Sequence, residues 1–508
     1  MSQIDRRKFI GGLAAASGLT IVPRRVLGGP GYVPPSDMVL LAQVGCGTQA
    51  QRQINCGTVQ RPDVQFVAVV DPNKDTQNYV DWSPNGNRNQ IRKFLQEQQW
   101  GANDKGIRAG RDVAKKIMET YYRKQNRPAG GIRSYEDFRE MLEKETDVQG
   151  VVNITPDHQH GPINIAALKK GKAAISHKPV ASVLEEVRRT VAAARASSAP
   201  SHLLAYSNTP DRHLLEAWIK SGEIGTVREV HNWTNRPFWP QGMQEYHKSG
   251  PPVPEGFNWA LWQGPEPDRV YHPSYTFAVY RGWYAYGTGC LGDMGHYSLW
   301  QPYRILKLGV PEFVEGRPNN DAFVDAATNV STGGKVSLVA LPKSSVVRWR
   351  HPAIAERPAV DTFWYDGGMK PQTPEEMYEN GEDLADEGML IIGDKGKILC
   401  DFRANKPRLI PNGRNKAFEG KVKTAEYDMT TPEDEWVNAI KNSKKSKGSF
   451  EEVAALAEAV VLANIALRVP YKRLMWDAQK TEFTNSPEAN KYIRREQYRQ
   501  GWDRLFTE

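Results

Sequence analysis

The stretch MVLLAQVGCGTQAQRQI, residues 38–54, constrains this chain more than any other: an apolar run meets a glycine turn and then a polar segment. Gly45, Gly47 and Ala50 stand in the spacing G-x-G-x-x-A. That arrangement predicts a buried strand turning tightly into a helix. The first glycine makes the turn and the second lets a pyrophosphate approach the backbone. The small third residue lets the helix pack on the strand, with the amides of its first turn, at Thr48 and Gln49, aimed at the phosphates. Alone the motif is weak. It gains weight from QFVAVVD, a second apolar run ending in Asp71, where a carboxylate accepts from ribose hydroxyls. The pair implies NAD, and Lys74 nearby leaves NADP open.

Residues 74–130 read as an insertion rich in Asn, Gln, Lys and Arg, with helical stretches at 90–99 and 111–124. SYEDFREML then predicts an amphipathic helix with Ser134 as its N-cap and Phe138, Met141 and Leu142 on its apolar face. The following QGVVNITPDHQHGPINIAALKKGKAAISHKPVAS reads strand, loop, helix, strand. This alternation predicts a doubly wound parallel sheet that binds ligands at the carboxyl ends of its strands. Thr155-Pro156 and His177-Lys178-Pro179 fall at two such ends. Later strands (KVSLVAL, SSVVRWR, GMLIIGDKGKILCDF) build a second sheet, and helices start at Thr431-Pro432 and after Ser449, which forms a capping box with Glu452.

A chain of 508 residues exceeds one hydrophobic core and implies at least two domains. No apolar run approaches the roughly 20 residues that span a bilayer. Half of the formal charge of +8 sits in residues 1–29, and the remainder forms no basic stripe, which argues against a nucleic-acid partner. Arg6-Arg7 before Lys8-Phe9-Ile10, followed by a short apolar stretch to Val22, resembles a twin-arginine export signal. It predicts a periplasmic protein exported after folding. Cys46, Cys56, Cys290 and Cys400 lack the spacing of a disulfide framework.

The segment GTGCLGDMGHYSLW, residues 287–300, carries the groups suited to proton transfer. On an α-helix Asp293 shares a face with both His296 and Tyr297, while those two, being consecutive, diverge by about 100°. Around it, residues 231–300 hold sixteen of the forty-nine aromatics, too dense a cluster for chance. Aromatic faces beside Asn235, Arg236, Trp239 and His272 suit sugar rings, although cores collect aromatics too. Asp157, His158 and His160 have a metal-like spacing with no convincing third ligand, so no metal is assigned.

These pieces together resemble the glucose-fructose oxidoreductase, inositol dehydrogenase and MocA family. The matching residues are VGCGTQA, Thr155-Pro156 with His160, Gly171 to Pro179, SGEIGTVREV and the GDMG of residues 292–295. The resemblance implies an N-terminal Rossmann domain, then an α/β domain with an open, mostly antiparallel sheet, and a homo-oligomer. It also implies hydride exchange between a polyol-type carbon and a nicotinamide. It keeps the family lysine at Lys178 but has His177 where the family has glutamate. Tyr297 occupies the position where most members carry histidine, as in glucose-fructose oxidoreductase. An ordinary phenol is a poor base at neutral pH, but a neighbouring ammonium favours its ionised form, so Tyr297 with Lys178 is a coherent acid–base pair. His296 and Lys178 alone remain alternatives, and Asp293 orients the substrate or Lys178.

The expected layout is a signal over 1–29, an arm over 30–36, a Rossmann domain over 37–225, a substrate domain over 226–430, and C-terminal helices and tail over 431–508 packing back on both. The leading reading is a nicotinamide-dependent oxidoreductase acting on a secondary hydroxyl of a sugar, glycoside or cyclitol. A glycosidase working by transient oxidation, elimination and hydration is one alternative, and a non-catalytic sugar-binding protein is another. Export from a compartment with free nucleotides to one without predicts a tightly held cofactor, with the arm Gly28–Ser36 as a strap.

Overall fold

The computed structural model describes residues 33–507 except 56, 82, 206–209, 278, 321, 323, 332 and 412–429. The export signal, most of the proposed strap and Cys56 lie outside the described residues.

The two apolar runs of the opening motif become β1 (Val39–Val44) and β2 (Val64–Val70), joined through α1 (Thr48–Asn55). The insertion adds a hairpin of β3 (Thr76–Tyr79) and β4 (Ile107–Ala109), with α2 (Gly86–Leu95) between its strands and α3 (Arg111–Lys124) after it. Strands β5 (Arg133–Tyr135), β6 (Gly150–Asn153), β7 (Ala173–Ser176) and β8 (Ser201–Leu203) complete a parallel six-stranded sheet in the order β5-β2-β1-β6-β7-β8. Its strands are almost wholly buried because helices cover both faces, which is why they read as continuous apolar runs. The order reverses between β1 and β6, and a crevice opens there at the carboxyl ends.

Two helix starts differ from expectation: the helix expected after Ser449 begins only at Ala454, with Val453 as a cap that makes no side-chain bond, and the other is the start expected at Ser134. Ser134 lies within β5, paired with Val69. The cap of α4 (Phe138–Lys144) is Asp137, whose carboxylate accepts from the Arg139 amide at 2.8 Å. The strand consumes the residue that sequence spacing assigns to the cap. At Thr431 the expected cap forms, accepting from the Asp434 amide at 3.1 Å.

Helices α5 (Asp157–Lys169) and α6 (Leu184–Ala196) connect the later strands, and α7 (Pro210–Lys220) leads to the second domain. There β9 (Val227–Trp233), β10 (Phe313–Pro318), β13 (Ser345–His351), β14 (Val360–Asp366), β15 (Gly388–Gly393), β16 (Lys397–Cys400), β17 (Arg408–Ile410), β18 (Arg473–Asp477) and β19 (Glu482–Phe483) form a nine-stranded sheet. A separate two-stranded ribbon, β11 (Val324–Asp325) with β12 (Val330–Ser331), lies outside it. All neighbours in the large sheet are antiparallel except β9 and β14.

After α8 (His296–Ile305) and α9 (Pro432–Lys441), the helix α10 (Ala454–Arg468) is buried along nearly its whole length. It lies between the large sheet and α6, and its Glu458 takes both nitrogens of Arg188 from α6, at 2.8 and 3.0 Å. Trp349 on β13 donates to the Ala459 carbonyl at 2.9 Å. Helix α9 returns to the first sheet, where its buried Trp436 donates to the Pro200 carbonyl at 3.2 Å.

Sheet and helix meet most closely at Gly316 on β10, where an added Cβ would lie 2.6 Å from the backbone of Ala466. Backbone on both sides cannot yield cheaply. Gly316→Ala is therefore expected to cost about 1–3 kcal/mol, read as a lower melting temperature by calorimetry with the nucleotide site intact.

Candidate active site

A cavity of about 450 Å³ lies between the carboxyl ends of the parallel strands and the second domain. Its floor is the opening motif. Gly45 adopts φ +84°, and a Cβ there would meet the Ile154 carbonyl at 2.4 Å, so the turn requires glycine. Ala50 is fully buried and seats α1 on the sheet. Thr48 and Gln49 line the cavity at the start of α1, where helix amides have no partner within the helix. The place a side chain at Gly47 would take is filled by the Tyr79 ring, 2.7 Å from an added Cβ. The insertion is therefore seated on the motif itself, and Asn87 from α2 donates to the Thr48 carbonyl at 3.0 Å.

Asp71 lies at the end of β2 with both oxygens held: Oδ2 accepts from the Cys46 amide at 2.7 Å and Oδ1 from the Asn73 amide at 2.8 Å. Burial pushes its carboxyl up to about 6 despite these bonds. Glycine cradle, helix amides and a carboxylate beside the turn together fit a dinucleotide. Thr155 and Pro156, at the end of β6, and Lys178, after β7, line the further part of the same cavity.

Here the two domains exchange charges. The Lys178 ammonium lies 2.6 Å from Asp293 Oδ1, and both side chains are nearly buried. Arg281 approaches the same oxygen at 3.3 Å and Asp157 Oδ1 at 3.9 Å. Asp157, at the first turn of α5, accepts from the Thr288 hydroxyl at 2.6 Å, the Thr288 amide at 3.0 Å and the Tyr280 hydroxyl at 3.1 Å. Burial opposes ionisation of Asp293, but Lys178 and Arg281 outweigh it and hold the carboxyl well below the usual range. Tyr297 completes the group, with Lys178 Nζ 5.3 Å and the Arg403 guanidinium 4.6 Å from its ring centre.

Leu291–Gly295 is a π turn that runs into α8. Its wider winding rotates the residue three positions on away from Asp293 and keeps the residue four on close to its face. Asp293 and Tyr297 accordingly line the cavity, and His296 does not. His296 is fully buried, with Nδ1 3.3 Å from the Gly292 carbonyl, and burial pushes it down to about 3. The shared face read from α-helical spacing is corrected by one π turn.

Other candidates also fall outside the cavity. Asn235 is exposed beside it. His272 stacks on His247 at 3.5 Å and caps a short helix through the Ser274 amide. His160 sits between the carbonyls of Pro179, at 2.7 Å, and Thr155, at 2.9 Å, bracing two loops of the site from behind. His158 lies between the carbonyls of Tyr286 and Trp262. Most of the aromatics form their own core around Trp259, Tyr275, Trp283 and Tyr286. Arg236 and Trp239 do line the cavity, joined by residues that no local motif marks: Arg281, Arg403, Phe277 and Trp502.

Residues 116–203 match an oxidoreductase family with an NAD-binding Rossmann fold, and residues 219–307 match the C-terminal alpha/beta domain of an oxidoreductase family. Among solved structures, the WlbA dehydrogenase from Chromobacterium violaceum, in complex with NADH and UDP-GlcNAcA, is 14% identical with a TM-score of 0.52, over 87% of this chain and 97% of that one. The WlbA dehydrogenase from Bordetella pertussis is 15% identical with a TM-score of 0.49, over 87% of this chain and 99% of that one. The aldose-aldose oxidoreductase from Caulobacter crescentus, complexed with glycerol, is 14% identical with a TM-score of 0.49, over 86% of this chain and 100% of that one. No curated protein matches. Fold and site define an NAD-binding, two-domain oxidoreductase. Those two matched segments correspond to the Rossmann and C-terminal domains of the Gfo/Idh/MocA oxidoreductases.

Ribose hydroxyls placed at the end of β2 would donate to the charged form of Asp71, so its protonation near pH 6 would oppose binding. NAD affinity is expected to weaken by about tenfold from pH 7 to pH 5. Asp71→Asn should bind weakly at both pH values and lose the dependence, as read by titration calorimetry.

Proposed function

We propose that this enzyme oxidises a secondary hydroxyl of a sugar, glycoside or cyclitol, with its cofactor held tightly between turnovers. The observation that carries the reading is the meeting of Lys178, from the parallel sheet, with Asp293 and Tyr297, from the second domain, at one end of the nucleotide cavity. Thr48, Gln49, Asp71 and Lys178 would hold the nucleotide, and its nicotinamide would supply the hydride acceptor.

The side chains handle the proton and the alignment. Tyr297, as the phenolate, takes the hydroxyl proton as hydride leaves and becomes neutral; the nearby ammonium of Lys178 favours the phenolate before that transfer. Asp293 fixes that ammonium from the opposite side, so Lys178 reaches a substrate hydroxyl from a set position rather than from a flexible stem. Arg281 and Asp157 balance the remaining charges. Trp239 offers a half-buried face to the apolar side of a sugar ring.

Tight retention of the cofactor is supported by the export signal read at residues 6–22 and by the insertion seated on the glycine turn. A freely dissociating nucleotide would be lost after export, whereas one loaded before export and regenerated in place would not. Protein purified from the native compartment and denatured should therefore release NAD near one equivalent per chain. An empty protein with millimolar affinity would exclude retention.

Tyr297→Phe is expected to slow hydride transfer by about 10²-fold or more, with nucleotide binding unchanged. His296→Ala should have a much smaller effect. Single-turnover NADH fluorescence orders the two variants, and the reverse order would remove Tyr297 from the role.

A further inference from the structure

The substrate end of the cavity carries one positive charge more than its neighbours neutralise. Lys178 and Arg281 face Asp293 and Asp157, two cations against two anions. Arg236 lies 3.4 Å from Glu387. Arg403 lines the same cavity and makes no ion pair among the described residues. The imbalance is a single charge, and it sits at the mouth.

Arg403 is held in place. It belongs to a turn in which the Asp401 carboxylate accepts from the Arg403 and Asn405 amides, each at 2.8 Å, with Phe402 buried as an anchor. Its guanidinium carbon lies over the Tyr297 ring, 4.6 Å from the ring centre. Arg236 likewise lies over Phe238, at 4.7 Å, with its Nε turned to Glu387 at 3.4 Å. With no described carboxylate paired to it, the Arg403 guanidinium has N–H donors that a ligand can complete. A neutral sugar supplies acceptors but no charge. A phosphate monoester brings about −1.5 to −2 and would overfill a site short of one negative charge. A carboxylate brings one charge in the planar, forked form that an arginine edge matches.

We propose that the substrate carries a carboxylate, as in a uronic or aldonic acid unit, and that Arg403 recognises it, with Arg236 as a second donor group. This rests on the reading of the cavity as a site for oxidising sugars. It makes Arg403 a specificity residue, separate from the proton-handling pair.

The test uses NAD-loaded protein titrated with glucuronate, galacturonate, glucose, galactose and glucuronamide, the uncharged isostere of glucuronate. Binding is read by tryptophan fluorescence, since Trp239 and Trp262 line the cavity, and NADH formation is followed in parallel. The uronates should bind about tenfold or more tighter than the hexoses and the amide. In Arg403→Gln that ratio should fall close to one, and the comparison with glucuronamide in unaltered protein gives the same answer without depending on the variant. Equal binding of uronate, amide and hexose overturns the inference, while NADH formed from the neutral sugars would leave the oxidation reading standing. Preferential uronate binding with no NADH formed from any sugar supports the carboxylate site and overturns the oxidation reading. Tighter binding of glucose 6-sulfate than of glucuronate would overturn the carboxylate in favour of a sulfate ester.

Discussion

The buried pairing of Lys178 with Asp293 is the interaction on which the rest of the site depends. It joins the carboxyl end of β7 to the π turn of the second domain, and Arg281 and Asp157 extend it to the first turn of α5. Four charges removed from water are tolerable only as a balanced set, because breaking one partner leaves an uncompensated buried charge worth about 3–5 kcal/mol. The set therefore fixes the distance between the domains as well as the site. Asp157 is suited to the junction because the start of a helix favours a negative charge and because Thr288 and Tyr280 supply three more donors to it.

The π turn decides which side chains that junction presents. In a regular helix Asp293 would share its face with His296 as well as with Tyr297. One widened turn sends His296 into the core, where burial keeps it neutral, and leaves Tyr297 beside Lys178. Close packing accompanies the turn: a Cβ at Gly292 would collide with the Thr288 hydroxyl, the donor that holds Asp157. Winding, glycine and ion set are thus one arrangement, and altering any of them moves the others.

What was legible in the sequence follows from the range of the forces involved. Gly45, Gly47, Ala50 and Asp71 could be read because a strand, a turn and a helix start are local, and a single backbone requirement acts at each position. Lys178 and the Asp293–Tyr297 segment were legible through family pattern. Arg281 and Arg403 were not, since their roles come from contacts between distant segments, and an arginine in a loop has no periodicity to mark it. His272 and Asn235 failed for the converse reason: aromatic density suggested a sugar platform, but most of those rings pack against one another. Only the rings at the edge of that core, Phe277 and Tyr280 among them, reach the cavity. The Ser134 cap failed because spacing alone cannot say that a strand has already claimed the residue.

Domains joined by modest polar contacts usually move against each other, and in this chain the C-terminal tail opposes that motion. Arg495, almost fully buried, holds Glu186 of the first domain at 2.7 Å and also pairs with Glu266 of the second. Tyr498 adds a bond to Glu186 at 3.2 Å, and Arg499 pairs with Asp268. Trp502 follows, stacked near Phe138 and under Arg139, and forms part of the cavity wall. Residues 495–502 therefore complete a clamp around a cleft whose glycine turn lies more than 400 residues earlier. Such a clamp favours a cleft assembled once, at folding, over one that opens widely at each turnover. A preformed cleft would in turn suit the retention of the nucleotide proposed above, with the proposed carboxylate recognised at the arginine-lined mouth.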